Sequence, residues 1–374
     1  MLSHESSAQV VKLVYTPDLG SGVARRGGSS PLLGTHIRGP MLVATATAST
    51  SPVIPTTYDA PERDLFKTTW HDTCRKIAKF VLCCVIFPYG VFVVAVHLLN
   101  PCLISATVLL SQSTEKEEVK DLRNEQLLQN DTESVTLTTA DKVKIDGCVF
   151  SHTDKATDKW VIFDCMNSET WESSAEECRM IGRLFKANVL CCNHRNVGYS
   201  QSKIPLADRD LKRDTAAQVE HLLTQRNISA GNVFLAGHSL GGMIGSQVFT
   251  KYHNAGIKLG GLLIDRSPTS LTSVIKNNAD CCMNLVARAA IWLSDWSLTI
   301  PYQELKKIGH FRTITAPGDK MSPPHSLPKD LGSRLITLVP RDPENPHSHL
   351  LSRAPNYSVV QEAVTSLIDE PAYA

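Results

Sequence analysis

An apolar run, Val233-Phe234-Leu235-Ala236, leads into the pentapeptide Gly237-His238-Ser239-Leu240-Gly241, and a small-residue run, Gly242-Met243-Ile244-Gly245-Ser246, follows it. The pattern reads as strand, tight turn and helix, with a serine at the tip. A serine hydroxyl is a poor nucleophile unless it is exposed, activated by a base and faced by backbone donors. A sharp strand-to-helix turn supplies the exposure but strains the serine backbone, so the residues two positions away must be small. Gly237 and Gly241 meet that need. The same turn sets the amide of Leu240 at a helix N-terminus, ready to face an oxyanion.

A bare G-x-S-x-G arises by chance in roughly one chain in ten of this length, so the flanks carry the weight. With its apolar strand before and its second glycine after, the segment resembles the nucleophile elbow of the α/β-hydrolase superfamily, in the lipase-like Gly-His-Ser-Leu-Gly-Gly form. The resemblance implies a triad in the chain order serine, acid, histidine. The acid is expected after a late strand and the histidine after the last one.

Asp319 is the acid candidate. It follows the β-rich run 311–316, and Gly318-Asp319-Lys320-Met321-Ser322-Pro323 is similar to the Gly-Asp-x-x-x-Pro turn that carries the acid in many hydrolases. The plainer reading is an aspartate that initiates a turn. Asp265, at the end of Leu262-Leu263-Ile264, is a rival, because some lipases place the acid one strand earlier. The base candidates are His347 and, as the alternative, His349, in a proline-rich loop after the run 334–339. A histidine presented there takes the serine proton and returns it to the leaving group. Two solvated loop histidines are the bland alternative. The His-x-His pair has the form of a metal ligand, but no second ligand cluster or C-x-x-C accompanies it, so no metal is expected.

A second oxyanion donor is needed. Trp160-Val161-Ile162-Phe163-Asp164 reads as a strand, and the loop after it, Cys165-Met166-Asn167-Ser168, sits where hydrolases carry His-Gly. Met166 stands where a glycine is expected, and its Cβ narrows the approach to an acyl oxygen. The backbone N–H near Asn167 is the donor candidate. The loop Asn193-His194-Arg195-Asn196-Val197-Gly198-Tyr199-Ser200 is similar to the hydrolase pattern Asn-Tyr-Arg-Gly-x-Gly-x-Ser, with Asn196 in place of a glycine. Asparagine tolerates the left-handed backbone better than most residues. Arg195 reads as a residue that fixes the loop.

Strand and helix signals alternate between these motifs. Helices are expected over 206–226, 242–252 and 358–368, and strands over 135–138, 143–149 and 187–192, with a turn at Ala140-Asp141. This alternation predicts an α/β-hydrolase fold over 130–374, a mostly parallel sheet with helices on both faces. The stretch 266–310 is longer than a simple crossover and reads either as a small apolar cap or as ordinary core helices. A cap would favour a greasy acyl group.

The N-terminal part is a different material. Residues 1–70 are rich in Ser, Thr, Ala, Pro and Gly without sustained periodicity and read as disordered or loosely structured. Residues 80–110 carry no Asp, Glu, Lys or Arg, with Arg75, Lys76 and Lys79 just before and charges at 115–120 just after. The segment 75–112 is therefore expected to associate with a membrane, as one span or as a hairpin interrupted at Pro88-Tyr89-Gly90 and Asn100-Pro101. The orientation of the hydrolase domain is unresolved, since charges flank both ends.

A formal net charge of +1 with no basic stripe gives no support for nucleic-acid binding, so no nucleic-acid partner is expected. The eleven cysteines include the adjacent pairs Cys83-Cys84, Cys191-Cys192 and Cys281-Cys282, which argues for small buried thiols rather than a disulfide framework. The apolar block, the Met166-Asn167-Ser168-Glu169 loop and the elbow together look like the chlamydial CHLPS protein family, which implies a bacterial, membrane-associated hydrolase-like protein. Two functions remain open. One is a membrane-associated serine hydrolase that cleaves a carboxylic ester, a membrane lipid or a small ester, without cofactors. The other is a catalytically silent α/β-hydrolase-like scaffold at a membrane, motivated by Met166.

Overall fold

β-Branched and aromatic runs form the strands of a nine-stranded sheet. The computed structural model describes residues 56–58, 116–154, 156–167, 169–202, 207–278, 291, 296, 298–339, 346–347, 351 and 356–370. In chain order the strands are β1 (Thr56–Tyr58), β2 (Thr132–Thr138), β3 (Lys144–Phe150), β4 (Trp160–Asp164), β5 (Asn188–Cys192), β6 (Val233–His238), β7 (Gly261–Asp265), β8 (Phe311–Thr315) and β9 (Leu335–Thr337). Across the sheet they run β1-β2-β3-β5-β4-β6-β7-β8-β9. β3 is antiparallel to both of its neighbours, and the other pairs are parallel.

β4, β6, β7 and β8 are buried along their whole length. Parallel strands need covering on both faces, and alternate side chains supply two separate cores. On one face Ile162, Leu235 and Leu262 pack with Leu211 and Val219 of α3 (Asp208–Glu220) and with Met243, Ile244, Val248 and Phe249 of α4 (Leu240–Asn254). On the other, Val161, Phe234 and Leu263 pack with Met180, Ile181, Leu184 and Phe185 of α2 (Ala175–Phe185) and with Val360, Val364 and Leu367 of α7 (Asn356–Asp369). The remaining helices are α1 (Lys116–Leu127), α5 (Leu271–Asn278) and α6 (Tyr302–Ile308).

Three differences from the sequence expectations have physical reasons, and one open reading is narrowed. β1 lies inside the stretch read as loosely structured; three residues paired to β2 are too few to show a periodicity. The helix expected to end at 226 ends at Glu220 and runs into a π turn, His221–Gln225, that buries His221 and Leu222. The last strand is shorter than 334–339, because Gly332–Arg334 forms a 3-10 turn before it. In the stretch read as cap or core, the described residues Trp296, Leu298, Ile300 and Leu305 are buried in the same core as α4, so this part is core. Residues 279–290, 292–295 and 297 of that stretch, and the apolar segment 75–112 up to Glu115, lie outside the described residues. Among the described residues no helix is long and apolar enough to cross a membrane.

Candidate active site

The site is assembled at the C-terminal ends of the central strands, where an α/β sheet offers its crevice. β6 ends at His238, and α4 starts at Leu240. Ser239 between them holds φ 53° and ψ −113°, the strained left-handed turn that lifts its side chain off the sheet. Its N–H donates to the Asp265 carbonyl at 2.9 Å, which ties the turn to β7. A Cβ on Gly237 would collide with the backbone of Gly241 and Gly242, and one on Gly241 with the Asp164 and Cys165 carbonyls. These close approaches are why the elbow needs glycine at both places.

His347 stands over this turn. Its Nε2 lies 2.9 Å from Ser239 Oγ, and its Nδ1 lies 2.8 Å from Asp319 Oδ2. Asp319 is 1% exposed and follows β8. Its second oxygen, Oδ1, accepts the N–H groups of Met321 at 2.8 Å and Ser322 at 3.0 Å. Burial disfavours its charge, but the His347 contact and the two backbone donors outweigh this and hold its carboxyl below the usual range. Of the sequence candidates, Ser239, Asp319 and His347 therefore meet at one point. Asp265 does not join them: both of its oxygens accept from Arg266, at 2.8 and 2.7 Å. His349 lies outside the described residues.

Leu240 occupies the first position of α4, where a helix leaves its N–H without an intrahelical partner. Leu240 and Asn167 line one cavity of about 20 Å³ with Cys165, Met166, Glu169 and His194. That volume holds about one water molecule. Met166 is half-buried at its wall.

The loop after β5 is fixed as its sequence suggests. Asn196 adopts φ 68° and Gly198 φ 54°. The fully buried Arg195 donates through Nη2 to Asp214 at 2.7 Å and through Nη1 to Asp141 at 2.8 Å. Cys165 Sγ lies 3.4 Å from Cys191 Sγ, and the described cysteines are free. Burial pushes the Cys178 thiol up to about 11; the contact with Cys191 and then burial raise Cys165; and for Cys191 the contact with Cys165 lowers it while the contact with Cys178 and burial raise it further, so all three behave as small packed side chains.

Sequence reasoning missed a polar layer behind the triad. Arg266, fully buried just after β7, donates from Nη2 to its neighbour Asp265 at 2.7 Å and from Nη1 to the Pro346 carbonyl at 3.3 Å, next to His347. His238 Nε2 meets the His347 carbonyl at 3.0 Å. Burial, with Arg266 nearby, lowers His238 to about 3, so its ring is neutral. Glu177, at 5% exposure, is pushed up to about 8 by burial and by the charges of Glu169 and Asp265. No short motif announces this layer, because its members come from four separate elements.

The strand order and the elbow define the class: this is an α/β-hydrolase scaffold. A solved α/β-hydrolase from Vibrio vulnificus superposes with a TM-score of 0.53 at 16% identity, over 69% of this chain and 92% of that one, and shows the fold. The esterase Pf2001 of Pyrococcus furiosus aligns with a TM-score of 0.48 at 16% identity, over 65% and 92% of the two chains. The carboxylesterase EstE1, cloned from a metagenomic library, aligns with a TM-score of 0.46 at 14% identity, over 72% and 96%. No curated protein sequence matches the chain. More narrowly, the chain belongs to the Chlamydia CHLPS protein (DUF818) family, whose pattern matches residues 64–300. That span includes the elbow and stops before Asp319 and His347.

Proposed function

We propose that the protein is a serine hydrolase that cleaves carboxylic esters through an acyl-enzyme. One observation carries this reading: the His347 ring bridges Ser239 Oγ and Asp319 at hydrogen-bond distance on both sides. Ser239 Oγ attacks the ester carbonyl while His347 Nε2 takes its proton. Asp319 accepts a hydrogen bond from Nδ1–H, which fixes the tautomer that leaves Nε2 basic. The oxyanion is held by the Leu240 N–H, helped by the α4 N-terminus, and by the backbone near Asn167. His347 then protonates the leaving alcohol. It next activates water, which attacks the acyl carbonyl and releases the acid.

The domain is proposed to sit at a membrane through residues 75–112, and retention of the full chain in the pellet after alkaline carbonate washing tests this. A fluorophosphonate probe tests the chemistry. Labelling of the wild type that vanishes in Ser239→Ala supports the hydrolase. Equal absence of labelling in both refutes it and leaves the silent scaffold. A p-nitrophenyl ester series from acetate to palmitate reads the acyl size.

A further inference from the structure

Behind the triad, three side chains converge that the proposed chemistry does not use. A ring nitrogen of His238 and one carboxylate oxygen each from Glu169 and Glu177 lie within 4.8 Å of one another. They come from the end of β6, the loop after β4 and the first turn of α2. His238 is 2% and Glu177 5% exposed, and His238 Nδ1 and Glu177 Oε1 have no hydrogen-bond partner among the described residues. The His347 carbonyl takes the Nε2 proton of His238, so Nδ1 carries the lone pair. An imidazole nitrogen and two carboxyl groups thus gather in a buried place, and two of their atoms, His238 Nδ1 and Glu177 Oε1, are left without a partner there among the described residues. The guanidinium of Arg266 hydrogen-bonds Asp265 and acts on Glu169 and Glu177 through its charge, so two buried polar atoms stay without a hydrogen-bond partner among the described residues, a costly state that a bound cation relieves.

We propose that Glu169, Glu177 and His238 bind a divalent transition-metal ion of the zinc class. One imidazole nitrogen and two carboxylates form a donor set suited to zinc, with a fourth position for water. In a tetrahedral zinc site neighbouring donors lie about 3.3 Å apart, so the three groups close by about 1.5 Å, within reach of glutamate side-chain rotation. Ser174 Oγ donates to Glu169 Oε2 at 3.0 Å and orients it as an outer partner of a ligand does. Glu169 is half-buried and lines the cavity beside Leu240, which gives the ion its way in. The bound ion joins the loop of Asn167 to the last residue before Ser239. It is structural and leaves the acyl chemistry to the triad, so the site stands or falls independently of the esterase reading.

The full chain, purified in detergent, is treated with EDTA, dialysed against zinc and gel-filtered, and its metal content is measured by mass spectrometry. The expected result is about one zinc per chain and a higher melting temperature than the EDTA-treated protein. Glu177→Gln and, separately, His238→Asn each lower zinc affinity by tenfold or more, as read by titration calorimetry, and each melts at the same temperature with and without zinc. Ser239→Ala keeps full zinc content. The cobalt-loaded protein shows d–d bands without thiolate charge transfer. Sub-stoichiometric zinc in the wild type overturns the site. So does stoichiometric zinc that both ligand variants retain, or a thiolate band that moves the metal to the cysteines.

Discussion

Replacing Asp319 with Asn tests the proposed chemistry at its most sensitive atom. Asp319 Oδ1 accepts two backbone N–H groups, from Met321 and Ser322, and Oδ2 faces His347 Nδ1 at 2.8 Å. Only the carbonyl of an asparagine can accept those backbone bonds, so its NH₂ is forced toward His347. Nδ1 must then be the acceptor, and the ring proton moves to Nε2, 2.9 Å from Ser239 Oγ. A base that already holds the proton at that nitrogen cannot take another. The expected fall in kcat is about 10⁴-fold, or about 5 kcal/mol of transition-state stabilisation. The fold is retained, because every backbone bond of the turn survives. The assay is kcat on a short p-nitrophenyl ester, with circular dichroism melting alongside. Activity of the variant within tenfold of wild type, with melting unchanged, refutes the assignment of Asp319 and His347 and the tautomer argument behind it.

Other expectations follow from burial and charge. Arg195→Met removes the guanidinium that hydrogen-bonds both Asp141 and the fully buried Asp214, leaving them the looser contacts of Arg213 at 3.9 Å and His194 at 3.6 Å; urea unfolding should show a loss of about 3 kcal/mol. Gly241→Ala drives a methyl into the Asp164 carbonyl, and thermal melting should report a loss of at least about 2 kcal/mol together with the probe labelling. His221 is lowered to about 4, by burial first and by Arg226 second, so the unfolded chain binds the extra proton between about pH 6.5 and 4. Stability from this group is present above pH 6.5 and shrinks by about 3 kcal/mol as pH falls to 4; in His221→Leu the unfolding free energy measured across that window should be correspondingly flatter.

The legible parts of this chain are those whose signal is local. The run before the elbow becomes β6, Trp160–Asp164 forms as read, and the alternation of elements yields the parallel sheet. The Asp319 turn and the His347 loop were found because a fold resemblance said where to look, and the chain separation of Ser239 and His347 gives no other clue. The π turn at His221–Gln225 was not legible, since one extra residue in a helix leaves the apolar spacing nearly unchanged. Nor was the layer of Glu169, Glu177, His238 and Arg266. Each looks like an ordinary surface or turn residue in its own segment, and only the packing of α2 and β7 around β6 buries them together.

The edge of the sheet constrains how the chain can meet a lipid bilayer. Tyr58 pairs with Leu137 on β2, and Arg123 of α1 donates to Ser134 on the same strand at 3.0 Å. The polypeptide thus departs from, and comes back to, one border of one folded body, with the greasy stretch in between. Its two ends are moored on a common shore. A lone crossing would strand them on opposite banks and strip Thr56–Tyr58 from its neighbour; of the two arrangements proposed for residues 75–112, the hairpin is the one that keeps the β1–β2 pairing.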